Sequence, residues 1–584
     1  MKHLKNFFLI IGSIVLLGSC TEEWLKPEAK SFFTPENVFV DKEGFESLVI
    51  TMRKDLKREC TGNMHYMSLE AAMSDLASPW SQLDFYNLTP STSQYYPNLT
   101  FFTDVYGFIK NTNVLISRID DIKWANENER NALLAEALWF RAYWYYRLIN
   151  SYGDVPFINA EVTSPKLDFY THSRWAILNK IQEDVEFAAK WLPIKAEPGA
   201  VSKAAAEHLL TKIYLANLNF DKAIEVSTQI INGPYSLMTE RFGVDAANPV
   251  RNLIWDLHRP KNFNITANKE TILATVDRYE APSTARSAGL FTMRLYNPAF
   301  IQPAVLDSEG KPGMVASGPM YDSLGRGNSN ARLTAHYQYG IWNIKGETWK
   351  STSDLRRADI NWVDTSEFLY NNPKSVDFGK PVQTRYFANP IDTFRHIYAI
   401  PHYIMYVPED DPKVTPQGGN GDWYIFRMAE TYLLRAEAYF WKNELSLAAN
   451  DINKVRTRAK AIPIDPQEVS LDFILDERAR ELFAEEPRHS ELLRVSYILA
   501  KLGKDGYSLN AFSEKNFYYD RVMKYNKTYE QKVTLLNNTA TMAPFHALWP
   551  IPDKVIMANT LGVINQNTGY DGAEKNVAPL ETIE

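Results

Sequence analysis

In "NERNALLAEALWFRAYWYYRLINSYGDVPF" (128–157), Ala135, Leu138, Ala142, Tyr145, Tyr146 and Ile149 recur at steps of three and four. That is the spacing of one helix face. The same period runs through "KEGFESLVITMRKDLKREC" (42–60), "TDVYGFIKNTNVLISRIDDI" (103–122) and "SRWAILNKIQEDVEFAAKWL" (173–192). It returns in "VSKAAAEHLLTKIYLANLNFDKAIEVSTQIING" (201–233), which Gly233-Pro234 closes as a helix stop, and in "WYIFRMAETYLLRAEAYFWKNELSLAANDINKVRTRA" (423–459). Between about 234 and 421 the period vanishes and Gly, Pro, Asn and aromatics take over, as in "GRGNSNARLTAHYQYGIWNIKGETW". Short helices, a few strand pairs and long ordered loops are expected there, because unstructured loops of such length are unusual in compact domains.

The last two helical blocks are related. Displaced by 225 residues, Ala204 falls on Ala429, Leu209 on Leu434, Tyr214 on Tyr439, Phe220 on Leu445, Ala223 on Ala448 and Ile230 on Val455. Small Ala lets two helices approach, while Tyr and Leu fill the groove between them. The pattern resembles the tetratricopeptide helix pair, whose unit is about 34 residues and which stacks into a continuous core. The expected fold class is mainly α: a tetratricopeptide-like helical-repeat scaffold with large loop-rich insertions. We expect one body over 20–584, with helical pairs within about 36–232 and 423–494 and insertions at about 77–100 and 234–421.

The amino terminus changes the picture. Phe7 to Leu17 is an eleven-residue apolar stretch after Lys2 and Lys5, where a membrane-spanning helix needs roughly 20 residues. Gly18 and Ser19 follow, so residues 1–19 read as an export signal. Leu17-Gly18-Ser19-Cys20 resembles the bacterial lipobox, which makes Cys20 a lipidated amino terminus. An ordinary signal peptide or an uncleaved anchor are the alternatives. Thr21, Glu22 and Glu23 resemble a surface-export signal of Gram-negative lipoproteins. Without residues 1–19, 61 basic side chains face 70 acidic ones, a balance of −9 that argues against nucleic acid as partner. Cys60 is then the one remaining thiol, so no intramolecular disulfide or thiolate metal cluster is expected.

Motifs of catalysis are missing: no His-Glu-x-x-His, no Gly-x-Ser-x-Gly, no phosphate loop and no three-glycine dinucleotide fingerprint. Neither a cofactor nor a metal is expected. In "ERARELFAEE", Glu477, Glu481 and Glu485 share a helix face with Arg478 and Arg480 interleaved, which reads as an ion-paired structural helix. "PEDDP" (408–412) reads as a solvated acidic turn rather than a calcium site. Aromatics in loops are the remaining chemistry. Trp80, Phe85, Tyr86, Tyr95 and Tyr96 crowd the first insertion, with Asn98 and other amides among them. Tyr337, Tyr339, Trp342 and Trp349 crowd the second, beside Arg332, Gln338 and Asn343. Sugar rings pack their C–H faces on aromatic planes while amides, carboxylates and guanidinium groups take the hydroxyls.

Four stretches together resemble the SusD/RagB family of outer-membrane nutrient-binding lipoproteins. They are "AEALWFRAYWYYRLINSYGDVPF" (135–157), "RMAETYLLRAEAYFW…AANDINKVRTRA" (427–459), "ILDERARELFAEEPRHSELLR" (474–494) and "LWPIPDKVIMANTLGVINQNTGY" (548–570). Pro487 and Glu491 stand where the family usually has Gly and Asp, and Thr568 where it has Pro. The resemblance implies a non-enzymatic lid over a SusC-like TonB-dependent transporter, delivering oligosaccharides to it from the outer-membrane surface. It implies sugar-stacking residues at Tyr95, Tyr96 and Asn98 and again at Tyr339 and Trp342, with Trp80 and Tyr86 as further candidates. A lid with peptide cargo is the alternative, and a surface glycosidase the remote one.

Overall fold

The computed structural model describes residues 38–79, 88–91, 97–389, 393–535 and 538–583. Cys20 and the export signal lie outside them.

The scaffold is helical. The longer helices are α1 (Lys42–Leu56), α2 (Tyr66–Ala72), α3 (Pro97–Arg118), α4 (Glu127–Tyr152), α5 (Arg174–Trp191), α6 (Lys203–Ala216) and α7 (Phe220–Ile231). After the middle insertion come α8 (Met428–Trp441), α9 (Leu445–Arg458), α10 (Leu471–Leu482), α11 (Arg488–Leu502) and α12 (Phe517–Tyr525). Side-chain caps fix many of the starts: Asn126, Ser173, Ser202 and Ser470 each accept a backbone N–H from the first turn. Helices α3 to α9 pack each on the next, and α7 packs directly on α8 although residues 232–427 separate them in sequence. The two related blocks are therefore neighbours in one stack.

Helix α4 is the axis. From Ala135 to Tyr152 every residue is buried, not just the periodic positions. A helix buried on all sides runs through the core, and its charged members are paired there, Arg141 with Asp184 and Arg147 with Glu59 and Glu70. It ends at Gly153 with φ 72°, where a Cβ would come within 3.0 Å of Tyr497 Oη and 3.2 Å of Leu548 Cδ1. Asp154 then accepts the Arg174 backbone N–H at the start of α5 (2.8 Å). The carboxyl-terminal signature is tied to the same point. Gln566 pairs both ways with the Ile551 backbone (2.8 Å each), and Asn567 donates to Tyr152 O and Trp549 O.

Helix α10 is ion-paired as read at Glu477 and Glu481, but the partners are mostly remote. It ends at Leu482, so Glu485 lies in the turn beyond it rather than on the same helix face. Glu477 binds Arg356, Arg456 and Arg480; Glu481 binds Arg356, Arg427 and Arg458; Glu485 binds Arg427 and His258. Arg478 turns the other way, to Glu430, Glu486 and Glu491. All these groups are buried. Burial alone would raise the Glu481 carboxyl, yet Arg458, Arg427 and Arg356 outweigh it and hold it down at about 2. At the family's variant turn, Ala484 takes φ 63° and Pro487 stands immediately before α11. Glu491 reaches Lys212 (3.0 Å), Arg494 (3.0 Å) and the Tyr146 hydroxyl (3.1 Å).

The middle insertion holds short helices and paired strands. Strand β4 (Thr271–Thr275) runs antiparallel to β6 (Trp423–Arg427), which leads straight into α8. Strand β5 (Ala331–Leu333) lies antiparallel to β1 (Ala77–Pro79), and β2 (Val155–Pro156) to β3 (Thr171–His172).

Candidate functional site

The β1–β5 ribbon pairs the strand that opens the first insertion with a strand inside the second. Ala77 faces Leu333, Ser78 faces Arg332 and Pro79 faces Ala331. The first insertion thus departs from a strand held by the second. Arg332, within β5 itself, is buried and donates to Thr528 Oγ1 (3.1 Å); among the described residues it forms no ion pair. Burial draws its guanidinium down to about 10. Its carbon Cζ stands 5.7 Å from the centre of the Phe394 ring, which is 53% exposed. An exposed ring with a cation behind it offers an apolar plane and, beside it, a hydrogen-bond donor.

Of the residues expected to hold ligand, Trp80, Tyr86, Tyr95 and Tyr96 lie outside the described residues, as does the side chain of Asn98. Trp342 is a correction. It is 1% exposed, donates its indole N–H to Tyr337 O (2.9 Å) and meets Trp362 edge-on at 6.0 Å. No ligand ring can stack on it there, so it is a core residue. Its Gly- and Asn-rich surroundings suggested an open loop, but that indole bond closes a compact turn. Tyr339 is half-buried and leans on Trp349 at 4.9 Å, with the Arg357 guanidinium 4.9 Å from the Trp349 ring.

A second feature escaped the sequence reading. A cavity of about 800 Å³ lies within the middle insertion, walled by Trp255, Arg259, Tyr279, Tyr406, Glu409 and Asp410. Its size suits a small-molecule or oligomer-unit site. Arg251 and Arg259 sit 3.5 and 4.0 Å from the Trp255 ring centre, fixing that indole in the wall. Tyr279 is 40% exposed and Tyr406 half-buried, so both offer ring surface to the cavity. Burial raises the carboxyls of Glu409 and Asp410 above their ordinary values, and Glu409 Oε1 accepts the Gln417 backbone N–H (2.9 Å). The acidic turn therefore has a wall to line. Among the described residues no group of His, Cys, Asp and Glu is placed to hold a metal ion. Trp255 and Tyr406 come together from positions too far apart for any local pattern to show.

Two family models match this chain. One, described as the SusD family, covers residues 346–570; the other, described as starch-binding and associating with the outer membrane, covers 39–215. The chain belongs to the SusD/RagB family. It is 23% identical to the starch-binding protein SusD of Bacteroides thetaiotaomicron, over 97% of this chain and 99% of that one. Among solved structures, NanU of B. fragilis superposes with a TM-score of 0.62 at 17% identity, covering 94% of this chain and all of that one. Surface glycan-binding protein A from Bacteroides thetaiotaomicron, in complex with laminarihexaose, gives 0.60 at 17% identity, covering 90% and 99%. As a SusD-family protein the chain is non-catalytic and associated with the outer membrane. The mainly helical fold is that of its SusD-like neighbours.

Proposed function

We propose that the protein is a cell-surface lipoprotein that captures oligosaccharides and passes them, as a lid, to a TonB-dependent outer-membrane transporter. The observation that carries the reading is the β1–β5 ribbon, which pairs the strand opening the first insertion with a strand of the second, beside Arg332 and the exposed Phe394 ring. The cavity bounded by Tyr279 and Tyr406 adds a second aromatic surface in the same insertion. Relatives named for starch binding and for a laminarihexaose complex support a glycan as cargo. The lipobox-like run to Cys20 supports the anchor.

Electrophoresis of the mature protein through gels cast with starch, laminarin and a set of other polysaccharides tests the cargo. Retardation by at least one of them, without release of reducing sugar, is the expected result. Mobility unchanged in every gel, together with binding to oligopeptides, would replace glycan by peptide. The anchored full chain, tagged and solubilised from outer membranes, should bring down a barrel transporter, and Cys20→Ala should leave an unacylated precursor. An unmodified, membrane-free wild-type protein by mass spectrometry would remove the anchor.

A further inference from the structure

A cavity of about 380 Å³ opens far along the chain from both insertions, where the end of α4, the start of α5 and the carboxyl-terminal signature converge. It shares no lining residue with the cavity around Tyr406. Its apolar wall is a run of rings. Trp175 meets Tyr497 edge-on at 6.3 Å, and Tyr497 stacks on Phe512 at 4.4 Å. Trp175 and Tyr497 are both half-buried, so ring surface faces the opening.

Its polar side is equally specific. One oxygen of Asp154 takes the Arg174 backbone N–H, and among the described residues the other has no hydrogen-bond partner. Burial raises that carboxyl above its ordinary value. Asn510 and Ser513 stand on the rim and add donors and acceptors. Charge is nearly balanced. Arg174 is committed inward, to Ile149 O, to Asn150 Oδ1 and to the Tyr497 face at 4.2 Å, while Lys501 lies 4.7 Å from the Trp175 ring centre. Glu581 already accepts from Ser173 Oγ (2.7 Å).

We propose that this cavity is a second saccharide subsite, taking a neutral sugar unit with one ring face on Trp175 and a hydroxyl donating to Asp154. An ionic ligand gains little from a site with both signs present and mostly spent. A purely apolar one would strand the open carboxylate oxygen, a penalty that a hydroxyl donor removes. Volume fits as well, since small-molecule sites run from about 300 to 1,000 Å³. The subsite rests on the glycan reading for the class of its ligand only, because its residues are separate from the ribbon and the larger cavity.

Saturation-transfer NMR of the mature protein with the methyl glycosides of glucose, mannose, galactose and xylose tests it. Transfer to the protons of at least one glycoside is expected. Trp175→Ala should weaken binding roughly thirty-fold, the loss of an aromatic hot spot, and Asn510→Ala, on the exposed rim, should weaken it without touching the fold. Lys222→Gln, at a surface pair that lines neither cavity, should leave it unchanged. No transfer from any of the four, or transfer equal in Trp175→Ala and wild type, overturns the subsite. Transfer lost only in Tyr406→Ala overturns it too, while keeping the glycan reading; loss of gel retardation with these signals intact does the reverse.

Discussion

Leu218 and Asn443 stand 225 residues apart and hold the same backbone shape, with φ 60° and 62°. Each ends the first helix of its pair. The next residue then donates back to the repeat tyrosine, Asn219 N to Tyr214 O (2.8 Å) and Glu444 N to Tyr439 O (2.9 Å). The two blocks thus share the geometry of their turns as well as their Ala and Leu positions. Left-handed φ costs an ordinary residue about 1–2 kcal/mol and Gly or Asn much less. Asn443→Val should therefore lower stability by about 1–2 kcal/mol in urea unfolding, while Asn443→Gly stays within about 0.5 kcal/mol of wild type.

The buried ion pairs around α10 make a second expectation. Replacing Glu481 by Gln leaves Arg356, Arg427 and Arg458 buried and short of one negative charge. Breaking one partner of such a network costs about 3–5 kcal/mol, read as a fall in the denaturation midpoint. At the surface pair Lys222–Glu225, Lys222→Gln should leave the midpoint where it is.

Acid should act in two stages. Burial pulls the imidazoles of His65 and His489 from 6.5 down to about 3. Both are neutral in the folded protein while the unfolded chain takes up protons, so stability is full above about 6.5 and falls as pH drops toward 3. Glu481, held at about 2 against an ordinary 4.5, adds a further loss below 4.5. Urea midpoints measured from pH 8 to pH 3 should show a slope beginning near 6.5 and steepening below 4.5. His489→Asn should reduce the first part of that slope.

Trp342 and Phe394 should behave oppositely. Trp342→Ala removes a core indole and should cost about 3–5 kcal/mol of stability with polysaccharide affinity unchanged. Phe394→Ala trims an exposed ring and should leave the melt unchanged while weakening binding roughly thirty-fold. Thermal melts and titration on both variants check the pair. Tyr214, buried with its hydroxyl on Glu186 (2.8 Å), should resemble Trp342 in cost; Tyr439, half-buried, should cost less.

What the sequence showed and what it hid follows from range. Helix spacing and the repeat are local, so Ala204, Leu209 and their counterparts could be read directly. Glu477 and Glu481 were visible as one face, but not the helix end at Leu482 that puts Glu485 beyond it, nor Arg356 and Arg427, which arrive from other segments. The aromatic clusters were visible as composition, and composition cannot tell Trp342, folded inward onto Tyr337, from a ring left outside. Phe394, Trp255 and Tyr406 gave no local signal, because only the folded insertion assembles them.

Because α7 packs directly on α8, the whole stretch from 232 to 427 leaves the stack and returns to the next position in it. To the scaffold it is a single excursion between adjacent helices, closed near its base where β4 meets β6. Doubling the length of such an excursion adds only about 0.6 kcal/mol of closure entropy. The segment behaves as an exchangeable cassette: another insertion that keeps β4 near its start and β6 at its end could change what the protein holds while the helices beneath stay as they are.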